Sequence, residues 1–153
     1  MKLFVSDRSQ REFGSENYLN HEYLYVLVND MIVVQIKKEY EGVVVDLYPN
    51  HVVDEPIATT YAMWGDDPNY KGETKEEMFQ DFDVVDVLGN AYGTENFHAK
   101  ELTRDILCVK VKNLSVQLEY DNSKNRIIVN IFPNGEDKSI ASTKAYLKQF
   151  VTK

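Results

Sequence analysis

Hydrophobic and polar residues alternate along much of the chain with the two-residue period of β-strands. The alternation predicts strands over residues 2–5, 24–28, 32–36, 43–48 and 56–64. Gly42 suits the turn before the third long strand, and Pro49 with Asn50 ends that strand, because proline cannot donate to a ladder. The segment from Leu24 to Val28 differs from the others, since it is apolar on both faces at its start.

The chain also contains an internal repeat. Residues 45–50 and 57–62 read VDLYPN and IATTYA, and residues 129–134 and 140–145 read VNIFPN and IASTKA. The match extends upstream to residues 34–36 and 116–118, and we align Ile106, Cys108 and Lys110 with Leu24, Val26 and Val28. Such a repeat indicates a duplicated supersecondary unit.

Helices are predicted where the strand pattern stops. Residues 74–77, TKEE, form a capping box, and Met78, Phe82 and Val85 follow at helical spacing before Gly89 ends the segment. Residues 143–150 predict a C-terminal helix with Leu147 and Phe150 on one side. A short additional helix is expected within residues 97–104.

These elements predict an α+β fold in a single domain, residues 1–153. Two copies of a three-stranded antiparallel unit, at about 23–64 and 105–153, would be related by a pseudo-twofold axis. A helix from the acidic linker, residues 65–104, would cover the sheet, and one continuous sheet or two facing sheets both fit. The expected core is Val34, Val45, Leu47, Phe82, Val85, Val116, Val129 and Ile131.

Composition narrows the possible functions. The 153 residues carry a net charge of −8, which argues against general nucleic-acid binding and against anionic membranes. The chain shows no long apolar run and no signal-peptide core, so we expect a cytoplasmic protein. Cys108 is the single cysteine, which excludes an internal disulfide.

Motifs for catalysis and metal binding are missing from the sequence. His21, His51 and His98 stand alone in polar stretches, without a partner at metal-ligand spacing. Cys108 lies in an apolar strand and is expected to be buried and inert. We therefore expect no catalytic residue, no metal and no cofactor.

The acidic linker is the main asymmetry between the copies. Residues 66–86 hold eight acidic residues against two lysines, which is six of the eight net negative charges. The cluster fits a solvated surface as well as a docking surface for a basic partner. With the neighbouring aromatics, the candidate partner-binding residues are Tyr61, Trp64, Asp66, Asp67, Tyr70, Glu73, Glu76 and Glu77.

These features favour a small acidic binding protein without enzymatic activity that neutralises a basic protein partner. Immunity proteins that neutralise toxins and phage-type inhibitors of nucleic-acid-handling defence enzymes share this small size and acidity. One alternative is a small-ligand protein or enzyme with a pocket between the repeats, where Asp46 and Asn130 occupy matching positions. Another is a structural subunit that forms homo-oligomers through unpaired sheet edges.

Overall fold

The fold is almost entirely antiparallel β-structure. The computed structural model describes residues 2–19, 22–50, 55–70, 81–95, 97 and 106–150. Within these residues the strands are β1 Leu3–Ser6, β2 Tyr23–Val28, β3 Ile32–Lys38, β4 Gly42–Pro49, β5 Ala58–Met63, β6 Asp83–Asp86, β7 Ile106–Val111, β8 Leu114–Asp121, β9 Arg126–Pro133 and β10 Ala141–Tyr146. Residues Trp64–Asp66 and Leu147–Phe150 are short 3₁₀ turns.

The strands form two five-stranded sheets, each built from one copy of the repeat. The first sheet has the order β1-β2-β3-β4-β5, and the second has the order β10-β9-β8-β7-β6. Val45 and Val129 occupy equivalent positions in the two sheets. Val45 is paired with Ile36 on one side and Thr60 on the other, and Val129 is paired with Leu118 and Thr143 in the same way. The duplicated unit is therefore five-stranded, and the three-stranded unit expected from the sequence is too short.

The repeat begins earlier than the sequence match suggested. Residues 13–17, FGSEN, correspond to residues 92–96, YGTEN, and both Gly14 and Gly93 have φ of +88°. Before them, Asp7 accepts hydrogen bonds from the backbone N–H groups of residues 9 and 11, as Asp86 does from residues 88 and 90. β1 with its following loop is thus the counterpart of β6 with its loop.

The two sheets share one hydrophobic core. Strand alternation sends every second side chain inward, and the inward residues of both sheets form a single buried cluster. Seven of the eight expected core residues are buried, namely Val34, Val45, Leu47, Phe82, Val116, Val129 and Ile131. Val85 is only half-buried, because Val84 in β6 and Phe82 just before it point inward, which turns Val85 outward.

The predicted α+β class is wrong. Among the described residues there is no α-helix, and the described end of the predicted linker helix contains β6, paired with β7. Phe82 and Val85 have helical spacing, yet the buried pair Phe82 and Val84 follows the strand period. Residues 74–80 of that helix and residues 98–104 of the additional helix lie outside the described residues.

The C-terminal helix is also wrong. Ala141–Tyr146 pairs with β9 along its whole length, and a single 3₁₀ turn follows. Leu147 is the counterpart of Trp64, and both side chains are 2% exposed. The Trp64 N–H donates to the carbonyl oxygen of Glu41 just before β4, and the Leu147 N–H donates to that of Asn125 just before β9. The copies therefore stay alike to this point.

Cys108 occupies a different position from the one expected. Leu107, Val109 and Val111 are the inward residues of β7, which makes Val109 the counterpart of Val26. Cys108 points to the outer face, is half-buried, and corresponds to Tyr25. A register error of one residue exchanges the two faces of a strand, and this explains the error.

Candidate functional site

The aromatic residues of the predicted partner-binding site lie in different environments. Trp64 is buried, and its indole N–H points to the backbone oxygens of Glu39 and Tyr40 at 3.3 and 3.2 Å. Tyr70 is half-buried against the core, whereas Tyr61 is 40% exposed on the outer side of β5. Trp64 therefore stabilises the fold, and Tyr61 remains accessible to a partner.

The acidic residues of that site largely serve local structure. Asp66 is exposed, and its carboxylate accepts from the Met63 N–H at 2.8 Å. Asp67 is buried and accepts from the backbone N–H of Asn69 at 2.9 Å and from the Asn113 side chain at 3.2 Å. Glu73, Glu76 and Glu77 lie outside the described residues. The described acids thus hold turns together rather than forming one exposed patch.

The outer side of the first sheet forms a groove of about 800 Å³. We call this side the first outer face. It has an apolar row across four strands, Phe4, Leu27, Val33 and Tyr48, in which neighbours are paired in register. Although they point away from the core, Val33 is only 9% exposed and Tyr48 only 8%. Val33 and Tyr48 therefore lie deep in the groove, and Phe4 and Leu27 are more accessible.

A polar row runs beside the apolar one. Across β1 to β5 it consists of Ser6, Tyr25, Gln35, Asp46 and Thr59, again paired in register. The Thr59 hydroxyl donates a hydrogen bond to the Asp46 carboxylate and also reaches the Val45 carbonyl oxygen at 3.2 Å. Asp46 is half-buried, so a carboxylate is held in place inside a groove with aromatic walls.

A third row closes one end of the groove. It contains Tyr23, Lys37, Val44 and Tyr61. The Lys37 ammonium lies 3.5 Å from a Glu39 carboxylate oxygen and 5.4 Å from the centre of the Tyr23 ring. Hydrogen bonding to Tyr23, with Glu39 adding to it, raises the pKa of Lys37. The Lys37 ammonium therefore interacts with Glu39 and Tyr23 at this end of the groove.

Tyr25 and Tyr48 in the groove remain neutral phenols. Burial raises the pKa of Tyr25, and burial together with Asp46 and Tyr25 raises the pKa of Tyr48. Their hydroxyl groups therefore keep the proton at neutral pH and can both donate and accept hydrogen bonds. The groove combines aromatic surface and phenolic hydroxyl groups with three carboxylates and two cations, a combination suited to binding. These charged residues are Asp7, Glu39, Asp46, Arg8 and Lys37.

The outer side of the second sheet, the second outer face, is a different surface on the same scaffold. Its cavity is smaller, about 500 Å³. Cys108, Lys110 and Ser115 replace the larger or apolar residues at three equivalent positions, Tyr25, Leu27 and Val33. The polar row keeps its glutamine, Gln117 for Gln35, and has Asn130 in place of Asp46 and Ser142 in place of Thr59.

Asp46 and Asn130 lie on the outer faces of two different sheets. The inner faces of those sheets are filled by the apolar core. Asp46 lines the groove of the first outer face together with Tyr25 and Tyr48, and Asn130 lies on the second outer face beside Gln117. The matching positions are therefore two separate places on the surface, and the groove belongs to one copy alone.

Sequence reasoning did not single out Tyr25, Leu27 and Val33 as site residues. A signal was present, because residues 24–28 are apolar on both faces although strand alternation needs only one apolar face. Comparison with the second copy in the correct register adds to that signal, since Lys110 and Ser115 are polar at the same places.

Among the described residues, no three side chains of His, Cys, Asp or Glu lie close enough together to hold a metal ion. Within the same part of the chain, no helix has the length and apolar character needed to cross a membrane. No protein-family model, curated protein or solved structure matches the chain.

Proposed function

We propose that the protein is a non-enzymatic binding protein that recognises a basic protein partner through its first outer face. The observation that supports this most is the difference between the two copies. Both copies use the same strand order and pairing. On the outer face, however, the first copy has an aromatic and two aliphatic residues, Tyr25, Leu27 and Val33, where the second copy has none.

The second copy is an internal control for what folding requires. Lys110 and Ser115 sit at the positions of Leu27 and Val33, so the five-stranded unit forms with polar residues there. Folding of the unit therefore does not require apolar residues at these two positions. Apolar and aromatic surface that the fold does not need is typical of an interaction site, and tyrosine is enriched at the centres of protein interfaces.

The negative net charge of the chain favours a basic partner. The net charge of −8 disfavours association with a second copy of the chain or with another acidic protein, and it accelerates encounter with a basic one. A partner larger than the groove would also reach Tyr61 and Met63, which are 40% and 44% exposed on β5 next to the groove. Neutralisation of a basic toxin or a basic defence enzyme fits this surface.

The test is capture of the partner from the native host with three immobilised proteins. These are the wild-type chain, a first-face variant (Tyr25→Ser, Leu27→Lys, Val33→Ser) and a second-face variant (Cys108→Ser, Lys110→Ala, Ser115→Ala). We expect one basic protein to be retained in stoichiometric amount by the wild-type chain and the second-face variant, and to be lost from the first-face variant.

The first-face variant takes two residue types from the second copy, so the five-stranded unit should still form. Its melting temperature should fall, because Val33 is only 9% exposed, and circular dichroism must show that the variant is folded before loss of the partner counts. Equal retention by both variants, or retention of an acidic protein, would refute the proposal.

A small-molecule ligand is a second candidate, because the groove volume lies within the usual range of ligand pockets. In that case no protein is retained and a small molecule co-purifies with the wild-type chain.

A further inference from the structure

We propose that the groove of the first outer face receives an arginine side chain of the partner, with Asp46 as the carboxylate that binds its guanidinium group. This inference rests on the proposed function and names the chemistry that the groove recognises. It assigns Asp46 as the charged anchor and Tyr25 as the aromatic wall of one pocket.

The register of the first sheet creates the pocket. Tyr25, Gln35 and Asp46 are consecutive partners across β2, β3 and β4. Neighbouring strands are about 4.8 Å apart, so Tyr25 and Asp46 flank a space roughly 10 Å wide above Gln35. Tyr48 follows Asp46 by two residues on the same strand and borders the same space. A planar cation above Gln35 would touch both an aromatic ring and a carboxylate.

The charges around Asp46 favour a cation. Among the described residues, no lysine or arginine forms an ion pair with Asp46, and Lys37 pairs with Glu39 instead. Three carboxylates and two cationic side chains line the groove. A guanidinium group would therefore supply the charge that Asp46 does not receive from the described part of the chain.

Arginine suits this pocket better than lysine does. Its guanidinium group is flat, stacks on aromatic rings and donates two parallel hydrogen bonds to a carboxylate. Thr59 already donates to one Asp46 oxygen and fixes the carboxylate in the groove. Lysine lacks the flat face that would lie against Tyr25, and it loses more hydration on entering a groove with aromatic walls.

The second copy shows what the pocket looks like without these two groups. Asn130 replaces the carboxylate and Cys108 replaces the ring. Beside them, Gln117 keeps the glutamine of the first copy, and Ser142 keeps a hydroxyl group at the place of Thr59. Changing Asp46→Asn therefore gives the first copy the amide of the second copy in the same backbone setting. This makes it a matched substitution that should leave the fold intact.

The experiment titrates Nα-acetyl-arginine amide into the full chain and follows backbone amide signals by NMR at low ionic strength. We expect saturable shifts at Tyr25, Gln35 and Asp46, and none at Gln117 or Asn130. The neutral isostere Nα-acetyl-citrulline amide should bind at least about tenfold more weakly, because it lacks the charge-assisted hydrogen bonds. Asp46→Asn should weaken binding of the arginine probe by a similar factor.

Two further variants separate the roles. Tyr25→Phe keeps the ring and should retain binding, whereas Tyr25→Ala should lose it. Equal binding of the citrulline probe, no effect of Asp46→Asn, or shifts confined to the second outer face would overturn the inference. If the arginine probe fails while the first-face variant still loses a basic partner, the arginine pocket is wrong and the proposed function stands.

Discussion

The backbone N–H of Val5 donates a hydrogen bond to the phenolic oxygen of Tyr92, with 3.0 Å between the two atoms. Val5 is in β1, the edge strand of the first sheet, and Tyr92 is in the loop after β6 of the second copy. The Val5 carbonyl oxygen accepts from the Phe13 N–H at 2.9 Å. The Phe13 and Tyr92 rings meet edge to face with their centres 6.4 Å apart. The loops of both copies thus cover this sheet edge and limit strand addition there.

Removing the Tyr92 hydroxyl should destabilise the protein. In Tyr92→Phe the buried Val5 N–H loses its acceptor, and an unsatisfied buried donor costs about 1–3 kcal/mol. Urea denaturation should show a loss in this range, and hydrogen exchange at the Val5 amide should accelerate. Tyr40→Phe is the control, because Tyr40 is 84% exposed, and it should leave stability unchanged. Equal stability of the two variants would contradict the structural role of the hydroxyl.

The same residue should make stability fall at high pH. Burial raises the pKa of Tyr92 from its ordinary value of 10.0 to about 12, although the Val5 hydrogen bond lowers it. The folded state therefore holds this proton more tightly than the unfolded state does. The contribution is complete below pH 10 and is lost as pH rises toward 12, at no more than about 1.4 kcal/mol per pH unit.

Comparison with Tyr92→Phe isolates this effect, since both proteins share all other titrating groups. Free energies of unfolding measured from pH 8.5 to 11.5 should show the advantage of the wild-type chain shrinking above pH 10. An advantage that stays constant or grows over this interval would show that the Tyr92 pKa is not raised in the folded state.

Two neighbouring valines test the strand assignment of β6. Val84 is 1% exposed and Val85 is half-buried. Val84→Ala should cost roughly 1–3 kcal/mol through lost burial and a residual cavity, and Val85→Ala should cost clearly less. Thermal or chemical denaturation of the two variants gives the comparison. A larger loss of stability in Val85→Ala than in Val84→Ala would contradict the strand and support a helix, in which Phe82 and Val85 share the buried face.

Gly42 should tolerate no side chain. A Cβ at this first residue of β4 would overlap the carbonyl oxygen of Ala62 on the paired strand. Gly42→Ala should therefore destabilise the protein by about 1–3 kcal/mol, since the strands would have to separate. At Gly65, nothing lies within 4 Å of an added Cβ, so Gly65→Ala should change the melting temperature little. Similar melting temperatures for the two variants would show that β4 and β5 adjust freely.

Strand alternation predicted most of the long strands and the repeat predicted two like units, because both features are visible in the sequence, but the α+β class was wrong. Val45 and Val129 could be matched from sequence, since each follows the buried period of its strand. Phe82 and Val85 misled because residues three apart fit a helix, and only pairing of β6 with β7 decides between the two structures. That pairing is a long-range contact, which local spacing does not contain.

The candidate site was less predictable than the fold. The acidic residues drew attention through their charge, yet the buried Asp67 carboxylate accepts one hydrogen bond from its own turn and one from Asn113 of the second copy. Tyr25 and Asp46 are 21 positions apart in the chain and come together only through the register of β2, β3 and β4. The one-residue error at Cys108 hid the comparison with Tyr25, because it placed Cys108 on the wrong face.

The most direct test of the proposed function is site-specific photo-crosslinking in the native host. A photoreactive p-benzoylphenylalanine replaces Leu27 in one variant and Lys110 in another, which are equivalent positions on the two outer faces. We predict a covalent adduct with a basic protein from position 27 and none from position 110. Adducts formed equally from both positions, or only from position 110, would contradict the assignment of the first outer face as the binding surface.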